Sequence, residues 1–113
     1  MLVTNRFVVE VDVADDFTAR AHAALAALAA RPGYLRGQLA RSLDDPRHWC
    51  LLTEWESVGT YRRALGDFDV KVTAIPLLAE SLDEPSAYEA LATAAPGGEV
   101  VVAASDRAAG PYR

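Results

Sequence analysis

Cysteine is almost missing from this chain. Cys50 stands alone among 113 residues, so no intrachain disulfide can form and a cytoplasmic setting fits. It lies between Trp49 and Leu51 in a strand-like run and reads as a buried thiol rather than a nucleophile. Positive charge is scarce too. The 11 Lys and Arg residues face 16 Asp and Glu, for a formal net charge of -5. The cations are scattered, with no basic patch interleaved with aromatics. Nucleic acid is thereby excluded as a partner, because its binding needs phosphate neutralisation. The acidic balance also disfavours an anionic membrane surface. No basic segment leads into an apolar run and a cleavage site at the N-terminus. The longest run of small apolar residues, 23–30, is too short to span a bilayer. Chemistry-bearing motifs are sparse as well. No His, Cys and Asp fall at metal-ligand spacing, and there is no Gly-rich phosphate loop and no G-x-S-x-G elbow. Glu54 and Glu56 flank Trp55, but alternation or helix entry separates their side chains, unlike a glycosidase pair. The residues alone therefore point to no metal and no cofactor.

What is present is a core. Hydrophobic residues make up 51% of the chain, too many for disorder. A chain of this length buries roughly two-thirds of its unfolded surface without metal or disulfide. One α+β domain is expected over residues 1–105, with 106–113 as a tail.

Strand periodicity opens the chain. Over 3–13, Phe7, Val9, Val11 and Val13 share one face and Arg6, Val8, Glu10 and Asp12 the other. Asn5 lies on the face of Phe7, either as an end-of-strand hydrogen bonder or as a pocket residue. Asp15 or Asp16 caps a helix running to about residue 30, whose stripe is Phe17, Ala21, Leu25 and Leu28 with Ala24 beside it. His22 sits at the margin of that stripe. Pro32-Gly33 stops the helix. Residues 34–42 and 48–55 form an antiparallel hairpin about the turn 44–47, and Gly37 marks a bulge or a close backbone approach. Trp49, Leu51, Thr53 and Trp55 face one way, with His48, Cys50, Leu52 and Glu54 opposite. Ser57 caps the next helix, in which Tyr61, Ala64 and Leu65 follow at spacings of three and four. Asp67 caps another, with Phe68, Val72, Ile75 and Leu78 as its stripe and a break near Pro76. A fourth strand lies within 83–91, behind Pro85, and 99–105 is a further β-forming run.

The order is strand, helix, strand, strand, helix, strand. This is a ferredoxin-like split βαβ pattern, one antiparallel sheet with helices on one face. Both sheet faces carry apolar residues, so a single helical layer leaves one uncovered. A homodimer packed sheet to sheet covers it, and the run 99–105 can cross to the partner. Trp55 ends a strand just before a helix cap. It is either a pocket wall or the largest core residue.

The first strand, the Pro-Gly-Tyr-Leu at 32–35, the hairpin, and Glu54-Trp55-Glu56-Ser57 followed by Tyr61 resemble the antibiotic biosynthesis monooxygenase family over residues 3–91. That resemblance implies a dimeric α+β barrel. It implies a cofactor-independent monooxygenase that oxidises a hydrophobic aromatic polyketide phenol to a quinone with dioxygen. Trp55 matches the family's strand-end tryptophan and Tyr61 its helix tyrosine, which contacts the substrate phenol. The family's polyketide oxidases carry an asparagine four residues before the tryptophan, where this chain has Leu51. Asn5 resembles the first-strand asparagine of haem-degrading relatives. Those relatives also need a histidine after the tryptophan, and none occurs after His48, which makes haem degradation the weakest alternative. Trp55, Tyr61 and Asn5 form the expected catalytic set. Phe7 and Trp49 are expected as aromatic walls and His22, Arg36 and Arg62 as polar contacts, with Leu51 and Phe68 completing the substrate-binding set. An aromatic polyketide cyclase and a noncatalytic small-ligand binding protein are the other readings of the same chain.

Overall fold

The computed structural model describes residues 1–105. The tail expected at 106–113 lies outside the described residues. Four strands form one antiparallel sheet in the order β2-β3-β1-β4, with β1 at Leu2–Val8, β2 at Tyr34–Arg41, β3 at His48–Trp55 and β4 at Ala87–Tyr88. Helix α1, Ala14–Ala29, crosses one face beside α2 (Val58–Leu65), α3 (Phe68–Thr73) and α4 (Ile75–Leu78). This is the ferredoxin-like arrangement. The described sheet is open and does not close into a barrel within one chain.

The inner sheet face and the helices make the core. Val3, Phe7, Leu51 and Trp55 meet Phe17, Ala21, Ala24 and Leu28 of α1, and all are buried. The alanines let α1 approach the sheet closely, and the larger side chains fill the remaining space. β3 is central because both neighbours pair along it, Phe7 opposite Trp49, Asn5 opposite Leu51, and Leu39 opposite Leu51 from the other side. No described helix is long and apolar enough to cross a membrane.

Several expected boundaries shift. β1 stops at Val8, and Val11–Val13 forms a 3-10 turn. Val11 and Val13 are exposed instead of facing the core. The chain must turn there to place α1 across the sheet, and that geometry overrides the β preference of valine. Helix α1 starts at Ala14 without a side-chain cap, so Asp15 and Asp16 lie in its first turn, favourably placed on the helix dipole. In α3 and α4 the buried stripe is Val70, Ala74 and Leu77, whereas Phe68 and Val72 are exposed. Both stripes have helical spacing. The one carrying the small Ala74 packs into the core that α3 and α4 share with α1. The fourth strand is only two residues long. The run 99–105 contributes β6 at Val101–Val102, which pairs with β5 at Ala92–Thr93 of the same chain.

Candidate active site at the junction of sheet and helix

Trp55 is the last residue of β3, and its place is fixed from every side. It is 1% exposed. Its indole N–H donates to Thr53 Oγ1 at 2.9 Å. The Tyr34 ring meets it edge-on at 5.4 Å, and the Tyr61 ring lies against it at 5.5 Å. Its backbone N–H donates to the Met1 carbonyl at 2.9 Å, and its own carbonyl accepts from the Met1 ammonium at 3.1 Å. A residue lining a substrate-sized space keeps surface toward that space. The indole keeps none, so the pocket-wall expectation for Trp55 gives way to packing. Its contribution to a site is to hold what leans on it.

What leans on it is Tyr61. Helix α2 begins directly after the strand because Ser57 caps it. The Thr60 N–H donates to Ser57 Oγ at 3.1 Å, and the Ser57 N–H donates back to Thr60 Oγ1 at 3.2 Å. That reciprocal cap fixes the entry angle of α2. One turn later Tyr61 is laid against the indole. Tyr61 is half-buried, and desolvation pushes its phenol above the ordinary tyrosine value. The phenol is therefore protonated at neutral pH, a form that can donate a hydrogen bond but cannot serve as a base. Its hydroxyl has no hydrogen-bond partner among the described residues.

Asn5 occupies the middle of β1 on the helix-facing side, between buried Val3 and Phe7 and opposite Leu51. It is half-buried, and its amide makes no side-chain hydrogen bond with a described residue. A half-desolvated amide with spare donor and acceptor capacity suits a ligand oxygen. Leu51 and Phe7 are 1% and 2% exposed, so they support the site from within the core and do not line it.

Trp49 closes the far end of the same sheet face. Phe17 lies 5.4 Å away, Phe7 packs on Phe17 at 5.1 Å, and the Arg41 guanidinium sits over the indole at 5.3 Å. Arg36, His22 and Phe68 do not join the group. Arg36 points to the outer sheet face, its side chain 80% exposed and paired with Glu54. His22 lies on the wet side of α1, and Phe68 is exposed at the start of α3. In each case helix or strand geometry turns the side chain away from the indole. Arg62 is exposed on α2 and lines a cleft of about 600 Å³ with Met1, Val58, Ala87, Tyr88 and Leu91. Cys50 is half-buried on the outer face, where desolvation raises its thiol, which disfavours the reactive thiolate. Among the described residues, no group of three or more His, Cys, Asp or Glu converges as a metal site.

Sequence reading passed over Tyr34. Strict alternation puts it on the face of Arg36, which points outward. A bulge between Tyr34 and Arg36 breaks that alternation and sets Tyr34 opposite Trp55. Gly37 then matters. A Cβ there would lie 2.6 Å from the Tyr34 hydroxyl and 2.9 Å from the Leu52 carbonyl. Only glycine leaves room for the tyrosine to lie down along the strand.

Comparison with known proteins identifies the family and agrees with the fold. The family model described as antibiotic biosynthesis monooxygenase matches residues 1–68. The chain is 27% identical to SnoaB, a cofactor-independent oxygenase from Streptomyces nogalater, over 80% of this chain and 94% of that one, with a TM-score of 0.64. A Deinococcus radiodurans protein given the same family description shares the fold at 18% identity, covering 93% of this chain and 100% of that one, with a TM-score of 0.65. A conserved protein of Methanosarcina mazei shares it at 20% identity, over 76% and 84%, with a TM-score of 0.63. No curated protein matches the chain.

Proposed function

The chain belongs to the antibiotic biosynthesis monooxygenase family, and from that premise we propose that it oxidises a phenolic aromatic ring of polyketide type to a quinone with dioxygen, without a cofactor. The observation that carries this reading is the half-buried, protonated Tyr61 phenol, held at 5.5 Å against a fully packed Trp55.

In this reading the substrate ring lies against the half-buried Tyr61 and Asn5, not among the sealed residues of the core. Tyr61 donates a hydrogen bond to a ring oxygen and favours the ring anion, whose charge is worth more to stabilise away from bulk water. The Asn5 amide holds a second oxygen. Trp55 is a positioning residue that fixes the Tyr61 ring. The anion passes one electron to dioxygen, giving a ring radical and superoxide. These join to form a C–O bond, a proton completes the hydroperoxide, and loss of water leaves the new carbonyl. One CH₂ and one O₂ become one C=O and one H₂O, so the protein supplies geometry and a proton donor but no electrons.

The outer sheet face is the natural seat for a second copy. Leu2 and Val8 are 38% and 46% exposed there, a surface that a twofold sheet-to-sheet contact covers. Light scattering on purified protein tests that point directly, and a monomer at micromolar concentration contradicts it.

One observation favours a second reading. Leu51 is a buried leucine where the resemblance implies an asparagine in the polyketide oxidases, so a ligand-binding protein without turnover is the competing reading. Oxygen uptake with a reduced anthrone-type tricycle, on protein stripped of metal by chelation, separates the readings. The oxidase consumes one O₂ per quinone and forms nothing under argon. Product under argon indicates a cyclase, and tight binding without product indicates the binding protein.

A further inference from the structure

The cleft beside α2 has a chemistry that the oxidation does not use. Val58 and Arg62 lie one turn apart on α2, so they share one edge of the helix. Across from them the chain passes through β4 to Leu91, and Met1 forms part of the floor. The space between measures about 600 Å³, within the range of small-molecule sites. Its walls are mainly apolar. Tyr88 is half exposed, and its hydroxyl donates to the Pro85 carbonyl at 3.1 Å. That bond steadies the ring as a flat wall.

The two charged groups in the cleft differ in what they already hold. Glu89 also lines it, and its carboxylate accepts from Ser105 Oγ at 2.8 and 2.9 Å. Arg62 makes no hydrogen bond or ion pair with any described residue, although five other arginines of the chain are paired with carboxylates. The Glu89 carboxylate keeps its charge, so an anionic group fits the cleft at its Arg62 side, with the flat apolar body of the ligand along the apolar walls.

We propose that the cleft between α2 and the segment 87–91 binds a planar aromatic anion, with Arg62 pairing its charged group and Tyr88 covering its ring face. Arg62 directly follows Tyr61 in the helix. Tyr61, Trp55 and Asn5 themselves are not among the residues that line the cleft. The ligand's role as substrate rests on the oxidase reading. Its binding does not, so the test reads binding alone.

Two soluble probes separate charge from shape, 2-naphthoate and the neutral 2-naphthylmethanol. Each is titrated into the full chain, with backbone amide shifts followed by NMR. The naphthoate is expected to move the amides of residues 58–62 and 87–91 and to bind more tightly than the alcohol. Arg62→Gln is expected to weaken naphthoate about fivefold, the scale of one exposed charge-assisted hydrogen bond, and to leave the alcohol within about twofold. Tyr88→Leu weakens both probes. Added salt weakens the naphthoate alone. Shifts that map elsewhere, equal binding of the two probes, or equal losses on Arg62→Gln overturn the proposal. A protein that binds in this pattern yet never consumes oxygen leaves the cleft standing and removes the oxidase reading.

Discussion

Strand β3 carries two tryptophans on one face, six residues apart, and they live under different conditions. At one end Trp55 is 1% exposed, with its N–H bonded to Thr53 and two tyrosine rings around it. At the other end Trp49 is half-buried among Phe7, Phe17 and Arg41, and its indole nitrogen is buried with no hydrogen-bond partner among the described residues. The residue type, strand and face are shared. The difference lies in whether the one polar atom is satisfied. A buried indole N–H without an acceptor forfeits the hydrogen bond it had with water, while one bonded to a hydroxyl keeps it. The Trp55 end is therefore the better satisfied one, and it is the end on which the helix bearing Tyr61 is built.

The comparison can be broken most sharply at Trp55 itself. Trp55→Ala is expected to cost about 3–5 kcal/mol, the scale of emptying a large aromatic from a core, seen as a lower urea midpoint with an unchanged slope. Thr53→Val keeps the shape and removes the acceptor. It leaves the Trp55 indole in the condition of Trp49, at an expected loss of about 1–3 kcal/mol. Smaller still is the effect of pH. Burial pushes the Tyr34 and Tyr61 phenols above their ordinary value. As pH climbs through the ordinary tyrosine range, the unfolded chain loses those protons first. The stability they contribute is whole below that range and declines as pH rises toward the folded values. Denaturation midpoints at rising alkaline pH should fall less steeply in Tyr61→Phe than in the parent. Least of all is Trp49→Phe. It deletes an unpaired polar atom along with some packing, and its midpoint should stay within about 1 kcal/mol of the parent. A loss there as large as that of Thr53→Val would erase the distinction between the two ends.

Much of this was legible in the residues. The alternation in β3, the small-residue stripe of α1, and the caps Ser57 and Asp67 follow from period and hydrogen-bonding chemistry, and each stands where those rules put it. The misreadings share a cause. Val11 and Val13 satisfy strand propensity, and Phe68 and Val72 satisfy helical spacing. What decides their fate is how closely α1 packs on the sheet and on α3, which is a property of pairs of elements. Tyr34 was hidden by a one-residue bulge, which inverts parity locally. Counting the hairpin register back from the turn at 42–47 reaches Trp55 from Tyr34 only once that bulge is allowed. For the site, the sequence marked Trp55 and Tyr61 as neighbours but not which of them meets a ligand. Burial separates the roles, because the indole is sealed and the phenol is half open.

The central claim is that the Tyr61 phenol, braced by a sealed indole, serves the oxidation as a proton-holding donor. Steady-state oxygen uptake by Tyr61→Phe, on protein whose urea midpoint matches the parent, tests it most directly. The account predicts kcat lower by about 100-fold, at the low end of what a positioned proton donor contributes, with KM little changed because the lost bond matters most in the transition state. An unchanged kcat in that folded variant contradicts it.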